Sequence, residues 1–202
     1  MHGGGARVTA ETLLPLYGYV GTAASAIVAA AVLASLHRAR HRPWLRSWTW
    51  SWLFLTFHSL LAAVAYVASR TGVASDTRIV LASLSAFAGF AQLVYLLAGA
   101  QEVSRDVLFP RKRLGLALGA AAVLALLTSL PGASDPSAAL LRYTLRFGGR
   151  ALTAGLVFLV AALLVRRGLA NRPTLGRRPV AGSLAVTGLH HLHYLFVGLG
   201  GF

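Results

Sequence analysis

Cysteine is absent from the 202 residues, and acids are scarce: five Asp and Glu stand against 19 Lys and Arg. Without thiols there are no disulfides, thiolate zinc sites, iron–sulfur clusters or thioether haem attachments, so any metal must be held by His, Gln, Tyr or carboxylate. The five acids are scattered, no Ser/His/Asp arrangement is visible, and no glycine-rich loop opens a helix with phosphate-binding spacing, so the chain is not expected to be an enzyme. Charge of any sign is sparse. Only 12% of residues are charged and 56% are hydrophobic, whereas a soluble domain carries about a quarter charged residues.

What is present fits a lipid environment. The mean hydropathy is positive, and windows of about 20 apolar residues, the length a helix needs to cross the hydrocarbon, recur along the chain. The spacing predicts six spans at about 13–36, 49–69, 79–100, 114–130, 138–165 and 180–202. The expected fold is therefore all-α, a polytopic transmembrane helix bundle forming one domain over residues 1–202. The formal charge of +14 would point to nucleic acid in a soluble protein. Here the arginines lie in short segments between apolar runs, where they set topology and meet anionic lipid, so the bilayer and not nucleic acid is the expected partner.

Orientation follows from the loop charges. The segments after the first, third and fifth spans hold Arg38, Arg40, Arg42, Arg46, Arg105, Arg111, Lys112, Arg113, Arg166, Arg167, Arg172, Arg177 and Arg178. The opposite side holds Arg7, Arg70, Arg78, Arg142, Arg146 and Arg150. That asymmetry predicts an outside N-terminus. Trp44, Trp48, Trp50 and Trp52 then fall at the cytoplasmic interface, where amphipathic rings serve as anchors. Six crossings leave the last span outside at the apolar string Leu195 to Phe202, and a seventh helix beyond it is expected, because a helix end needs caps, partners or water. Small residues at helical spacing, Gly21/Ser25/Ala29 and Gly115/Gly119, are expected at close helix approaches. Glu102 and Asp106, with Arg105, Arg111, Lys112 and Arg113 nearby, are expected to form an interfacial ion-pair network.

The functional expectation rests on ionisable groups at bilayer depth, which are expensive there and usually functional. His58 is nine residues in from Thr49, about 14 Å deep at 1.5 Å per residue, and His190 is ten residues in from Val180, about 15 Å from the same surface. Gln92 lies about 12 Å in on the third span, on one face with Ser85, Gly89, Tyr95 and Gly99. His190 and His193 are three apart and share a face, while His191 points about 100° away. A single imidazole in a bundle is most often a hydrogen-bonded packing residue. Three in four residues are harder to assign to packing alone, and imidazoles from facing helices would supply ligands for haem iron, copper or zinc. The expected site is thus His58, His190 and His193 as metal ligands, with Gln92 and Tyr95 orienting them. Arg142, Arg146 and Arg150, spaced by four, form a basic stripe suited to a carboxylate or haem propionates, or to snorkelling at the surface.

The last span adds a resemblance. Gly188, Leu189, His190, Leu192 and Tyr194 match a GLHxLDYP-type segment, which resembles the late helix of multi-pass N-terminal sensory regions in bacterial histidine kinases and diguanylate cyclases. The match covers about seven residues. His193 stands where that pattern has Asp and Leu195 where it has Pro, so a proline bend and the carboxylate do not carry over. The resemblance implies a sensory input module in the bacterial inner membrane, leading to a cytoplasmic output domain and working with a homodimer partner. Two other classes stay open: a single-cofactor haem or metal protein of electron transfer or cofactor handling, and a small transporter. The transporter lacks support from inverted repeats or broken helices.

Overall fold

The computed structural model describes residues 10–71, 73–129, 141, 144–171 and 177–200. They form six α-helices: α1 (Ala10–Arg40), α2 (Pro43–Arg70), α3 (Ser75–Arg105), α4 (Arg111–Ser129), α5 (Gly149–Asn171) and α6 (Arg177–Gly200). A π-helical turn, Thr144–Gly148, leads into α5. The helices run beyond the predicted spans because the basic residues that flank the apolar runs stay helical. His37, Arg38 and Arg40 occupy the last turn of α1 and Arg105 that of α3, where cations meet the unpaired carbonyls.

Breaks between helices have local causes. Arg42 is extended (φ −83°, ψ 127°) ahead of Pro43 at the first position of α2, because a residue before proline is pushed out of the α region. His41 takes a left-handed φ of 50° and its N–H closes on His37 O at 2.8 Å. Asp106 does the same after α3, with φ 56° and its N–H on Glu102 O at 2.8 Å.

Among the described residues five helices are long and apolar enough to cross a membrane: Leu13–Arg40, Pro43–Arg70, Ser75–Arg105, Arg111–Ser129 and Thr144–Gly168. Six were expected. The difference is α6, which has 24 residues and carries His190, His191 and His193 and is not among the five. Leu14, Val28, Phe57, Leu116, Leu163, Val186 and Phe196 are exposed, as expected for helices whose outer faces meet lipid.

α3 is the central element. α1 packs on α2, α2 on α3, α3 on both α4 and α5, and α5 on α6. One core cluster joins Leu96, Ala100 and Val103 of α3 to Ala161, Ala162 and Val165 of α5 and Leu184 of α6. A second joins Phe90 and Leu93 of α3 to Ala121 and Ala125 of α4 and Ala154 of α5. α1 and α6 end this chain of contacts and share no packed face among the described residues.

The small residues expected at crossings are mostly not the ones used. α1 buries Ala23, Ala26 and Ala30, one face round from Gly21, Ser25 and Ala29. Gly21, Gly115 and Gly119 have open space where a Cβ would stand. The close approach is made by Gly155 of α5 and Gly188 of α6: a Cβ on Gly188 would lie 2.9 Å from Gly155 O. Gly99 similarly gives its face to the Trp48 indole, whose Nε1–H donates to Leu96 O at 3.2 Å. Trp48 is therefore part of the α2–α3 interface as well as a residue at the helix end.

Candidate functional site: a polar cavity between the first and last helices

A cavity of about 650 Å³ lies among α1, α2, α3, α5 and α6. Its lining includes Tyr19, Thr22, His58, Ser59, Arg150 and His191, and toward the Trp48 end of α2 it turns to Leu33, Trp48, Trp52, Leu96, Val180 and Leu184 with Ser51, Gln92 and Ser183 among them; Phe158, stacked on His191, lies between the two sets. Among the described residues no Asp or Glu lines it. α1 and α6 both contribute walls to the cavity and share no extensive packing, which leaves a seam between them beside it.

His58 is fixed from two sides. Its Nδ1 lies 2.8 Å from Ser85 O and so carries the proton for that bond, and it is also 3.0 Å from Ser85 Oγ. Ser85 Oγ in turn donates to His58 O at 3.1 Å. In this tautomer Nε2 keeps a lone pair, which accepts from Nη1 of Arg150. Gly89 allows this meeting: a Cβ there would lie 3.1 Å from His58 Nδ1 and 3.2 Å from Arg150 Cζ. The α3 backbone thus serves as the floor on which α2 and α5 join.

Arg150 has no carboxylate partner among the described residues. Its guanidinium carries five donors, and the recorded acceptor is one neutral imidazole nitrogen. Gln92 is also short of partners. Its side chain is 7% exposed and lines the cavity, and the hydrogen bond recorded at this residue uses its backbone carbonyl, which accepts from Ser51 Oγ at 2.9 Å. By contrast, the Ser183 and Thr187 hydroxyls are satisfied within α6, on Val180 O and Ser183 O. Arg150 and Gln92 are thus among the cavity residues with hydrogen-bonding capacity to spare.

The expected metal site is not assembled. His190 is exposed and packs edge-on against Tyr194 at 4.8 Å; it does not face His58. His193 is exposed as well. His191 is the α6 imidazole that reaches the cavity, stacked on Phe158 at 5.6 Å. A helix turns about 100° per residue, so only one of two adjacent histidines can face the interior. Among the described residues no group of three or more His, Cys, Asp or Glu is placed to hold a metal ion, and both ring nitrogens of His58 are already engaged. His58, His190 and His193, expected from spacing as metal ligands, are thus not brought together in this structure.

Tyr95 lies in an aromatic stack, 5.4 Å from Phe54 and 6.3 Å from Trp50, and does not orient His58. Arg142 lies outside the described residues. Arg146 sits at the level of the α4 C-terminus and donates to Ser129 O at 2.9 Å and Thr128 O at 3.4 Å, because a helix end offers carbonyls without intrahelical donors. Arg150, one turn further on, reaches the cavity instead. Glu102 is buried and accepts from Ser47 Oγ at 2.8 Å and Phe109 N at 3.0 Å, while Asp106 meets exposed Arg42 at 3.7 Å. The expected ion-pair network is replaced at Glu102 by neutral donors.

The spacing argument did not single out His191 as the α6 imidazole at the cavity, although its signal was there. Ser183, Thr187 and His191 recur every fourth residue and make one polar stripe on α6. The helix lengths and hydropathy make this chain a multi-pass helical membrane protein. No protein-family model, curated protein or solved structure matches it.

Proposed function

We propose that the chain is a membrane-embedded sensory input module that receives a ligand in the cavity between α1 and α6. The observation that carries this reading is Arg150: a cation within a candidate span, facing a 650 Å³ cavity, with an imidazole and no carboxylate as its recorded partner. An uncompensated charge at such depth costs several kcal/mol. A bound group that neutralises it has the differential affinity needed to favour one helix packing over another.

The architecture supports transmission. The α1–α2–α3 and α5–α6 parts are joined by α3–α5 packing and, at the cavity, by the His58–Arg150 contact, so a ligand at Arg150 competes for one of the contacts between them. The resemblance of Gly188–Tyr194 to sensory regions of bacterial kinases and cyclases supports the same reading, and with it an inner-membrane location, an outside N-terminus, α6 as a sixth crossing and a cytoplasmic output partner.

The absence of cysteine makes the test clean. Spin labels on Val32→Cys and Val186→Cys, both at exposed positions of α1 and α6, report the seam width by pulsed electron resonance in bacterial-lipid nanodiscs. Two distance populations are expected, with their ratio altered by Arg150→Met. A single distance that is identical in both proteins sinks the sensory reading.

A further inference from the structure

We propose that the cavity accepts a single-chain amphiphile with a carboxylate head, whose head meets Arg150 and whose chain runs toward Trp48. This rests on the ligand-receiving reading and gives it a chemical class. The argument begins with charge. Among the described residues Arg150 is the one Lys or Arg that lines the cavity, no acid accompanies it there, and its recorded partner is an imidazole lone pair. One monovalent anion neutralises that site. A carboxylate also matches the planar fork of a guanidinium, two parallel N–H donors to two oxygens. Gln92 offers a side-chain amide in the same cavity, and its protein hydrogen bond is made by the backbone alone.

Polarity along the cavity supplies the rest of the molecule. Beyond Ala154 and Leu55 the apolar lining is Leu33, Trp48, Trp52, Leu96, Phe158 and Leu184, with Ser51, Gln92 and Ser183 among them. The hydroxyls scattered there are spent on backbone carbonyls: Ser51 on Gln92, Ser183 on Val180. A polar ligand would find few partners at that end, whereas an alkyl chain loses nothing. The volume of about 650 Å³ falls in the range, about 300–1,000 Å³, of pockets that enclose drug-sized molecules. It suits one chain and a small head rather than a diacyl lipid. The α1–α6 seam gives such a molecule a lateral route from the bilayer, where amphiphiles of this kind dissolve.

The test uses the full chain in detergent and in nanodiscs. Laurate, dodecanol, dodecyl phosphate, dodecylamine and acetate are compared by thermal midpoint, and 12-bromododecanoate by quenching of tryptophan fluorescence. Laurate is expected to raise the midpoint saturably, and the bromo acid to quench through Trp48 and Trp52 and be displaced by laurate. Arg150→Met is expected to weaken laurate about ten- to hundredfold, the loss of one charge-assisted pair. Arg150→Lys retains part of the affinity, and Gln92→Leu lowers it less than Arg150→Met.

Equal stabilisation by dodecanol or dodecylamine, a stronger effect of dodecyl phosphate, or an equal effect of acetate each overturns the proposal. So does undiminished laurate binding in Arg150→Met, or a dimer on native mass spectrometry that takes up no laurate, which assigns the seam to a second copy. Should Arg150→Met fail to fold, Arg150→Lys and Gln92→Leu carry the comparison. The two readings separate cleanly: two seam distances without laurate binding leave the sensor and remove the ligand class, and laurate binding with one unmoved distance does the reverse.

Discussion

The two sides of the cavity are joined by different forces. Between α2 and α3 the contact is threaded by side-chain hydrogen bonds: Ser47 to Glu102, Trp48 to Leu96 O, Ser51 to Gln92 O and Ser85 to His58 O. Between α5, with the π-helical turn that leads into it, and α6 it rests on Gly155 against Gly188 and on the Phe158–His191 and Phe147–Tyr194 ring contacts. In lipid there is no hydrophobic drive between helices, so association must come from polar bonds or from close van der Waals approach. This chain uses one on each side. A hydrogen-bonded seam keeps its register because each donor has its own acceptor. A glycine seam resists compression but specifies sliding less sharply, so α6 is the element on which ligand occupancy can act.

The comparison can be broken most severely at Gly188. Gly188→Leu places carbons where Gly155 O and Leu159 already stand, and overpacking of this kind costs about 1–3 kcal/mol or more. α6 is expected to detach from α5 while α1–α3 hold together, seen as protease cleavage confined to the α5–α6 part. A uniform loss of all six helices would mean that the two sides are not separable.

His58→Leu comes next. It removes the recorded acceptor of Arg150 and leaves a buried donor unmade, a loss of about 1–3 kcal/mol, read as a lower denaturation midpoint. The partner change has the opposite sign. Arg150→Met, which replaces an uncompensated charge by an apolar side chain of similar length, is expected to raise the midpoint of the ligand-free protein, because apolar replacement of a buried ion is often neutral or stabilising. A marked loss in both would show that the pair stabilises the bundle in its own right.

Smaller effects sharpen the polar side. Ser51→Ala deletes one interhelical hydrogen bond and is expected to cost about 0.6 kcal/mol, the average found for such bonds in lipid, measured by unfolding in mixed micelles. Ser47→Ala should exceed it, since Glu102 is ionisable and keeps Phe109 N as its recorded remaining donor. At the bottom of the scale, Gly115→Ala and Gly119→Ala enter open space and should gain up to about 0.5–1 kcal/mol through helix propensity. A loss at either position would reveal a partner for α4.

The legible part of this architecture is the part that depends on composition along one helix. Apolar runs long enough to span, punctuated by arginines, announce the helices directly, and the face of α3 carrying Ser85, Gly89, Gln92 and Gly99 is buried as its spacing implies. Glycine spacing misled, because GxxxG records only that an approach is allowed. Gly115 and Gly119 are never approached, while Gly155 and Gly188, alone on their helices at the crossing, are. The site was half legible. His58 and Gln92 were visible as polar groups at depth and Arg150 as part of a basic stripe, but the grouping was drawn with His190 and His193 in place of His191.

Sequence alone therefore determined the class of this protein and the depth of its polar groups, since hydropathy and helix rise are properties of one helix in lipid. Which imidazole faces inward, which arginine caps a neighbouring helix and which lacks an acid were decided by tertiary structure. Each depends on the rotation of one helix against another, and that rotation is set by close contacts such as Gly155 on Gly188 and Trp48 on Gly99, between residues far apart in the chain.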